Sequence, residues 1–194
     1  MNASPRAAFI AVLLGWGPFA SSTALSYEAS NVVPATGAVE YAFTPGDDAT
    51  ALIVRVIDAA RVQILVQAFS FTHREIADAL VRAHRRNVEV QVIADTSQIK
   101  LIEHNVIPAL VEAGVAVFTD SEHTSAHNKV IIADAMSRQP ALVTGSFNFT
   151  FAAQYRNAEN VLVMRGNREL SKAFLDNWKI HRAHAVEMGR TRRK

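Results

Sequence analysis

HNKVIIAD, residues 127–134, places an imidazole, an ammonium and, at its far end, a carboxylate on a run otherwise made of strand-forming residues. Side chains two apart on a strand share a face, so His127 and Lys129 are expected to point the same way. The next strand-like run, ALVTGSFN (141–148), repeats the device, with Ser146 and Asn148 two apart. If the turn AMSRQP (135–140) joins the two runs antiparallel with Asp134 facing Ala141, Lys129 falls opposite Ser146 and His127 opposite Asn148. Four polar groups then gather on one face. A slip of one residue would send one pair to the other face, which makes this register the decisive expectation about the fold.

Outward from this hairpin, strand-like and helix-like segments alternate. AVEYAFTP (38–45) reads as a strand, 47–61 as a helix, VQILVQAFSF (62–71) as a buried strand and HREIADALVRAHRR (73–86) as a helix with Ile76, Leu80 and Val81 on one face. VEVQVIAD (88–95) alternates as a strand should, a helix is expected over 99–113, and VAVFTD (115–120) is a further strand. AENVLVMR (158–165) and a final amphipathic helix over 168–184 complete the pattern. Early alternation and a late hairpin predict an α/β fold, a mixed β-sheet flanked by helices on both faces, with the antiparallel hairpin carrying the active site. No internal repeat or low-complexity block interrupts it.

The 194 residues suit one domain, and 49% hydrophobic with 20% charged residues excludes a disordered chain. Twenty Lys and Arg against 18 acids give no strongly basic surface, so composition alone does not indicate nucleic acid. The first 24 residues, with Arg6, an apolar run from Ala7 to Ala20 and the small residues Ser21 to Ala24, read as a signal peptide. That run holds Gly15, Gly17 and Pro18 and falls short of the roughly 20 apolar residues of a spanning helix. Export to the periplasm or medium is therefore expected, with no stable membrane association after cleavage. The absence of cysteine is compatible with an oxidising compartment. Residues 25–36 read as an N-terminal arm, 37–187 as the folded domain and 188–194 as a basic tail.

A histidine, a lysine and an amide converging on one spot suit a phosphodiester. The imidazole can attack phosphorus while ammonium and amide donate to the oxygens that gather charge. His127, Lys129 and Asp134 followed by Gly145, Ser146 and Asn148 match H-x-K-x4-D and G-S-x-N, and on these residues the chain resembles the phospholipase D superfamily. AFSFTHREIADALVRAHRRNVEVQVIADTSQ (68–98) and QYRNAENVLVM (154–164) are similar to its short, single-motif bacterial nucleases, and the likeness runs from about Gly37 to His181. The ten residues from Ala135 to Thr144 are a longer interval than the family pattern usually shows, which is expected to lengthen the turn around Ser137 to Pro140.

The resemblance implies a role for each residue. His127 would be the nucleophile that forms a phosphohistidine, Lys129 and Asn148 would hold the non-bridging oxygens, and Ser146 would hydrogen-bond within the site. Glu159 would orient the imidazole through its second ring nitrogen, and Asp134 would close its strand with hydrogen bonds. Because the leaving alkoxide must be protonated while the first histidine bonds phosphorus, two histidines are needed. Members with one motif form a twofold dimer, so the chain is expected to be a homodimer whose second copy supplies the acid. Paired lysines and asparagines would provide the positive field that other nucleases draw from a metal, so no cofactor or metal is expected.

A zinc site built on His123 and His127 with Asp95 or Asp134 is disfavoured, because that spacing suits a helix and HTSAH (123–127) reads as a loop or strand entrance. His73, His84, His104, His181 and His184 show no comparable sequence partners and read as surface or helix-face residues. Phe69, Phe71, Phe147 and Phe149 could stack bases, but their strand spacing assigns them to the core. The expected function is a metal-independent, non-specific endonuclease acting on DNA, with RNA as a further substrate. A phospholipase D acting on headgroups such as that of cardiolipin, and a non-catalytic nucleic-acid-binding protein, are the alternatives.

Overall fold

The computed structural model describes residues 31–102 and 104–189. The leader, the first part of the arm and the basic end 190–194 lie outside the described residues. The compact unit that carries the candidate site begins at Val33. Its strands are β1 (Ala38–Thr44), β2 (Gln63–Ala68), β3 (Glu89–Asp95), β4 (Ala116–Asp120), β5 (Lys129–Ala133), β6 (Ala141–Gly145), β7 (Glu159–Arg165) and β8 (Val186–Glu187). The helices are α1 (Ala49–Ala59), α2 (Arg74–Arg85), α3 (Thr96–Leu101), α4 (Ile107–Glu112), α5 (Phe151–Tyr155) and α6 (Arg168–His184).

One sheet takes all eight strands in the order β1-β7-β6-β5-β2-β3-β4-β8. β2, β3 and β4 run parallel, joined by helical crossovers, and every other pairing is antiparallel. This is the mixed sheet with helices on both faces that the alternation predicts. On one face Ile53 and Ile57 of α1, Ile76 and Leu80 of α2 and Leu110 of α4 pack on Ile64, Val66, Val92, Ile131 and Val143. On the other, Leu175 and Trp178 of α6 pack on Leu65, Ile93, Val130, Ile132 and Leu142. Trp178 also donates its indole N–H to the Val66 carbonyl at 3.2 Å, so its one polar atom is satisfied in the core.

Burying each large aliphatic contributes roughly 1.5–3 kcal/mol, so these two layers outweigh the helix caps at about 1 kcal/mol each. The caps set where helices begin. Asp48 accepts from the Ala51 amide, Asp95 from Gln98, Thr150 from Ala153 and Asn167 from Leu170.

Three expectations are corrected. The helix over 99–113 is two helices, because Pro108 has no N–H to donate and its ring would clash with the preceding turn. It sits instead in the first turn of α4, where it is tolerated, while the Asn105 side chain bonds Ile99, Ile102 and Ile107 across the break. The hairpin register is shifted by one, since Ala133, not Asp134, faces Ala141. Asp134 has left the strand into the left-handed region (φ 51°) and belongs to the turn. Finally, the second hairpin strand ends at Gly145 rather than 148, and α5 follows.

Candidate active site

The parallel arrangement of β2, β3 and β4, with β5 and β7 reversed, brings the C-terminal ends of β2, β3, β4 and β6 and the N-terminal ends of β5 and β7 to one rim of the sheet. Phe69, Asp95, Asp120, Lys129, Ser146 and Glu159 all stand on this rim or one residue beyond it. Asp134 lies at the opposite rim, about 16 Å along the strand from Lys129 at ~3.3 Å per residue. Its carboxylate accepts the backbone N–H groups of Arg61, Val62 and Gln63 at 2.8–2.9 Å. It fastens the turn to the start of β2 and does not reach the other motif residues.

At the rim, a cavity of about 470 Å³ is lined by Gln67, His127, Asn128, Lys129, Val130, Thr144, Gly145, Ser146, Phe174 and Asn177. His127, in the loop just before β5, is exposed, whereas Lys129 is only 7% exposed. The Lys129 ammonium donates to the His127 carbonyl at 2.7 Å and lies 3.0 Å from His127 Nδ1. Phe69 backs both groups, its ring 4.4 Å from the imidazole by centroids and 4.8 Å from Lys129 Nζ. An aromatic face under a cation is attractive and excludes water from one side of it. Burial pulls the Lys129 ammonium down from its usual value to about 8, the Glu159 carboxylate acting in the opposite sense.

Gly145 explains how Ser146 reaches the same cavity despite the shifted register. Its φ of 150° is glycine territory, and a Cβ there would stand 2.2 Å from the Asn160 carbonyl oxygen, so no side chain fits. That oxygen accepts from both Ser146 and Phe147 N–H, at 3.1 and 3.4 Å, which makes a bulge opposite β7. Ser146 Oγ in turn accepts the Asn160 N–H at 3.0 Å, leaving its own O–H to donate toward the cavity. Two residues on, between the buried rings of Phe147 and Phe149, Asn148 is half-buried and its Oδ1 has no hydrogen-bond partner among the described residues. Asn148 is not among the cavity walls. Glu159 accepts from Asn157 Nδ2 at 3.0 Å, and no hydrogen bond joins it to His127 among the described residues. Its carboxylate instead favours the charged form of Lys129.

Beyond the two motif segments, Gln67, Phe174 and Asn177 also line the cavity, none of them singled out in the sequence. Gln67 sits in β2 like any strand residue, and α6 brings Phe174 and Asn177 to the site from 47 and 50 residues past His127. Phe71, Phe147 and Phe149 are core, whereas Phe69 is half-buried and belongs to the site. His73, read as a surface or helix-face residue, is buried, with Nε2 3.1 Å from the Thr50 hydroxyl. The expectation that His181 and His184 lack partners is also overturned, because both contact Asp120 Oδ2 at 3.1 Å.

A histidine, a lysine and a hydroxyl around one cleft at the rim of a mixed sheet define a phosphodiesterase of the phospholipase D type, and the chain belongs to that superfamily. The family described as cardiolipin synthase, PLD-like domain, matches residues 53–179. The phospholipase D of Rickettsia felis is 39% identical over 140 residues, 72% of this chain and 67% of that protein. Human mitochondrial cardiolipin hydrolase is 31% identical over 133 residues, 69% of this chain but only 50% of its own length. Among solved structures, Nuc from Salmonella typhimurium, a phospholipase D family member, aligns with a TM-score of 0.72 and 32% identity, covering 78% of this chain and 97% of Nuc.

Proposed function

We propose that this phosphodiesterase is a metal-independent, non-specific endonuclease that cleaves DNA, and RNA as a further substrate, through a phosphohistidine at His127. The observation that carries the reading is the lining of the cleft. Seven of its ten lining residues carry an amide, hydroxyl, imidazole or ammonium group, the exceptions being Val130, Gly145 and Phe174. Such a surface suits a charged, solvated backbone better than acyl chains.

Lys129 Nζ lies 3.0 Å from His127 Nδ1. A phosphate oxygen offers the ammonium a stronger, charge-assisted partner. Once Lys129 turns to it, the ring can carry its proton on Nδ1 and present the Nε2 lone pair to phosphorus. The N–P bond forms as the P–O bond to the leaving nucleoside oxygen breaks, and that oxygen takes a proton from a second imidazole. The same imidazole then removes a proton from water, whose oxygen displaces the histidine from phosphorus.

The second imidazole is His127 of a second copy in a twofold dimer. Supporting this, Val39, Tyr41, Phe43 and Leu162 are 60, 66, 57 and 38% exposed. Tyr41 is paired with Leu162, and Leu162 with Thr144 of the cleft wall, so this apolar stripe is on the same sheet face as the cleft, over strands that α6 does not cover.

The names of the relatives favour one other reading, headgroup release from phospholipid. The two separate in one assay. Plasmid nicking and headgroup release from cardiolipin vesicles are measured side by side in excess EDTA. Nicking without appreciable lipid turnover is expected, and lipid turnover without nicking would replace the nuclease reading. DNA binding unaffected by loss of His127, with no turnover, would make the protein a binder only.

The pH dependence follows from Lys129. The ammonium is the useful form, and its pKa is depressed to about 8, so it is lost as pH rises. The expected kcat/KM profile declines above about pH 8, and Lys129→Arg, which stays charged, removes that limb while lowering the plateau. A profile flat to pH 10 would exclude Lys129 as the cation that holds the phosphate.

A further inference from the structure

The second cluster of ionisable groups on the rim takes no part in the chemistry above. Asp120 closes β4 and its side chain is fully buried. Its Oδ2 lies 3.1 Å from His181 Nδ1, 3.1 Å from His184 Nε2 and 3.2 Å from His123 Nδ1. One carboxylate oxygen has lone pairs for two good N–H bonds, and here three imidazole nitrogens converge on it. Burial pushes the Asp120 carboxyl up, but the contacts with His181, His184, the Glu122 N–H and His123 outweigh it and hold it well below the usual carboxylate range.

Four such atoms, all within 4.8 Å of one another, describe a coordination shell better than a hydrogen-bond cluster. In a tetrahedral centre with bonds of ~2.0–2.1 Å the donor atoms stand about 3.3 Å apart. Carboxylate-to-imidazole separations of 3.1 to 3.2 Å already approach that edge length. Three imidazoles and one carboxylate, without thiolate, form a borderline N/O set that suits Zn²⁺ and disfavours Mg²⁺ or Ca²⁺. We infer that Asp120, His123, His181 and His184 bind one Zn²⁺ ion in a closed, structural site.

The position gives the ion a task. His123 lies in the loop 121–128, which also carries His127. That loop is already tied by Glu122 N–H to Asp120 and by Ala126 N–H to Asp95, the cross-strand neighbour of Asp120. Phe174, Asn177, His181 and His184 follow one another at helical intervals of three and four along α6, so one face of the helix runs from the cleft to the cluster. An ion there clamps the end of α6 to β4 and to the loop that presents His127. No cleft-lining residue is among its ligands, so it supports the site without entering the reaction, and the inference stands whether the substrate is nucleic acid or lipid.

The test is binding, not turnover. The full chain is dialysed against a chelator, then titrated with Zn²⁺ and separately with Co²⁺, and metal per chain is measured after gel filtration. Expected are one Zn²⁺ per chain, the intense visible absorption of tetrahedral Co²⁺, and a Tm rise of roughly 5–10 °C at a hundredfold excess over Kd. His184→Gln and His181→Gln should each weaken binding at least tenfold and abolish the Co²⁺ bands, whereas His104→Gln, at an exposed histidine outside the cluster, should change neither. Should a variant fail to fold, the wild-type stoichiometry and Co²⁺ spectrum decide alone. No retained metal, a weak octahedral Co²⁺ spectrum, or equal binding by folded His184→Gln protein would overturn the inference.

Discussion

His127→Ala protein is expected to lose at least about 10³-fold in kcat while keeping its fold, because the substitution removes the atom that bonds phosphorus and, in a shared site, the acid as well. His127 is exposed and precedes β5, so no cavity opens in the core. The contact that Lys129 makes with the residue 127 backbone carbonyl survives the change. Tm should therefore stay within about 1–2 °C of the parent. Initial nicking rates give the first quantity, and acid-quenched reactions with labelled substrate reveal an acid-labile phosphoryl-protein in the parent that is missing in the variant. Turnover within tenfold of the parent would remove His127 from the nucleophile's role. Mixed preparations add a second reading. If both copies must supply an imidazole, excess His127→Ala chain added to parent under subunit exchange should depress activity well below the parent's mass fraction.

The second large effect is expected from the apolar stripe. Tyr41→Arg combined with Leu162→Arg places two cations of each copy in the contact that a twofold dimer would bury. An uncompensated charge taken out of water costs several kcal/mol, so association should weaken at least about 10³-fold. Both positions are solvent-facing in the single chain, so its own core is untouched. Sedimentation should shift from dimer to monomer, and turnover at submicromolar protein should fall at least about 10²-fold, recovering in part as concentration rises. A monomeric variant with full turnover would end the shared-site mechanism. A variant still dimeric and active would place the contact elsewhere.

The fold was legible because its segments obey simple periods. β3 alternates, α2 carries its aliphatics on one face, and the crossovers between β2, β3 and β4 follow from strand–helix–strand order. What escaped was governed by single backbone positions. The pattern counts Asp134 into the strand, although its carboxylate captures three amides at the entrance to β2 and its φ is left-handed, neither of which a hydrophobic pattern records. The mispaired register still put Lys129 and Ser146 together, because the bulge after Gly145 restores by conformation what the slip removes. The superfamily could be read from two motifs, but the walls supplied by Gln67, Phe174 and Asn177 could not, since nothing local distinguishes them. The Asp120 cluster is the strongest example. Two of its histidines stand about sixty residues beyond their carboxylate, and only the docking of α6 unites them.

Because the candidate site keeps to one rim, the opposite rim is free ground. The turn 134–140, held by Asp134 to β2, sits at the far end of the strands from the cleft. Extra length in this chain between the aspartate and the glycine is therefore lodged where it lengthens a bend and leaves the reacting groups unmoved. The same separation makes that bend a natural attachment point, where a fused module could ride on the enzyme without shadowing the substrate's approach.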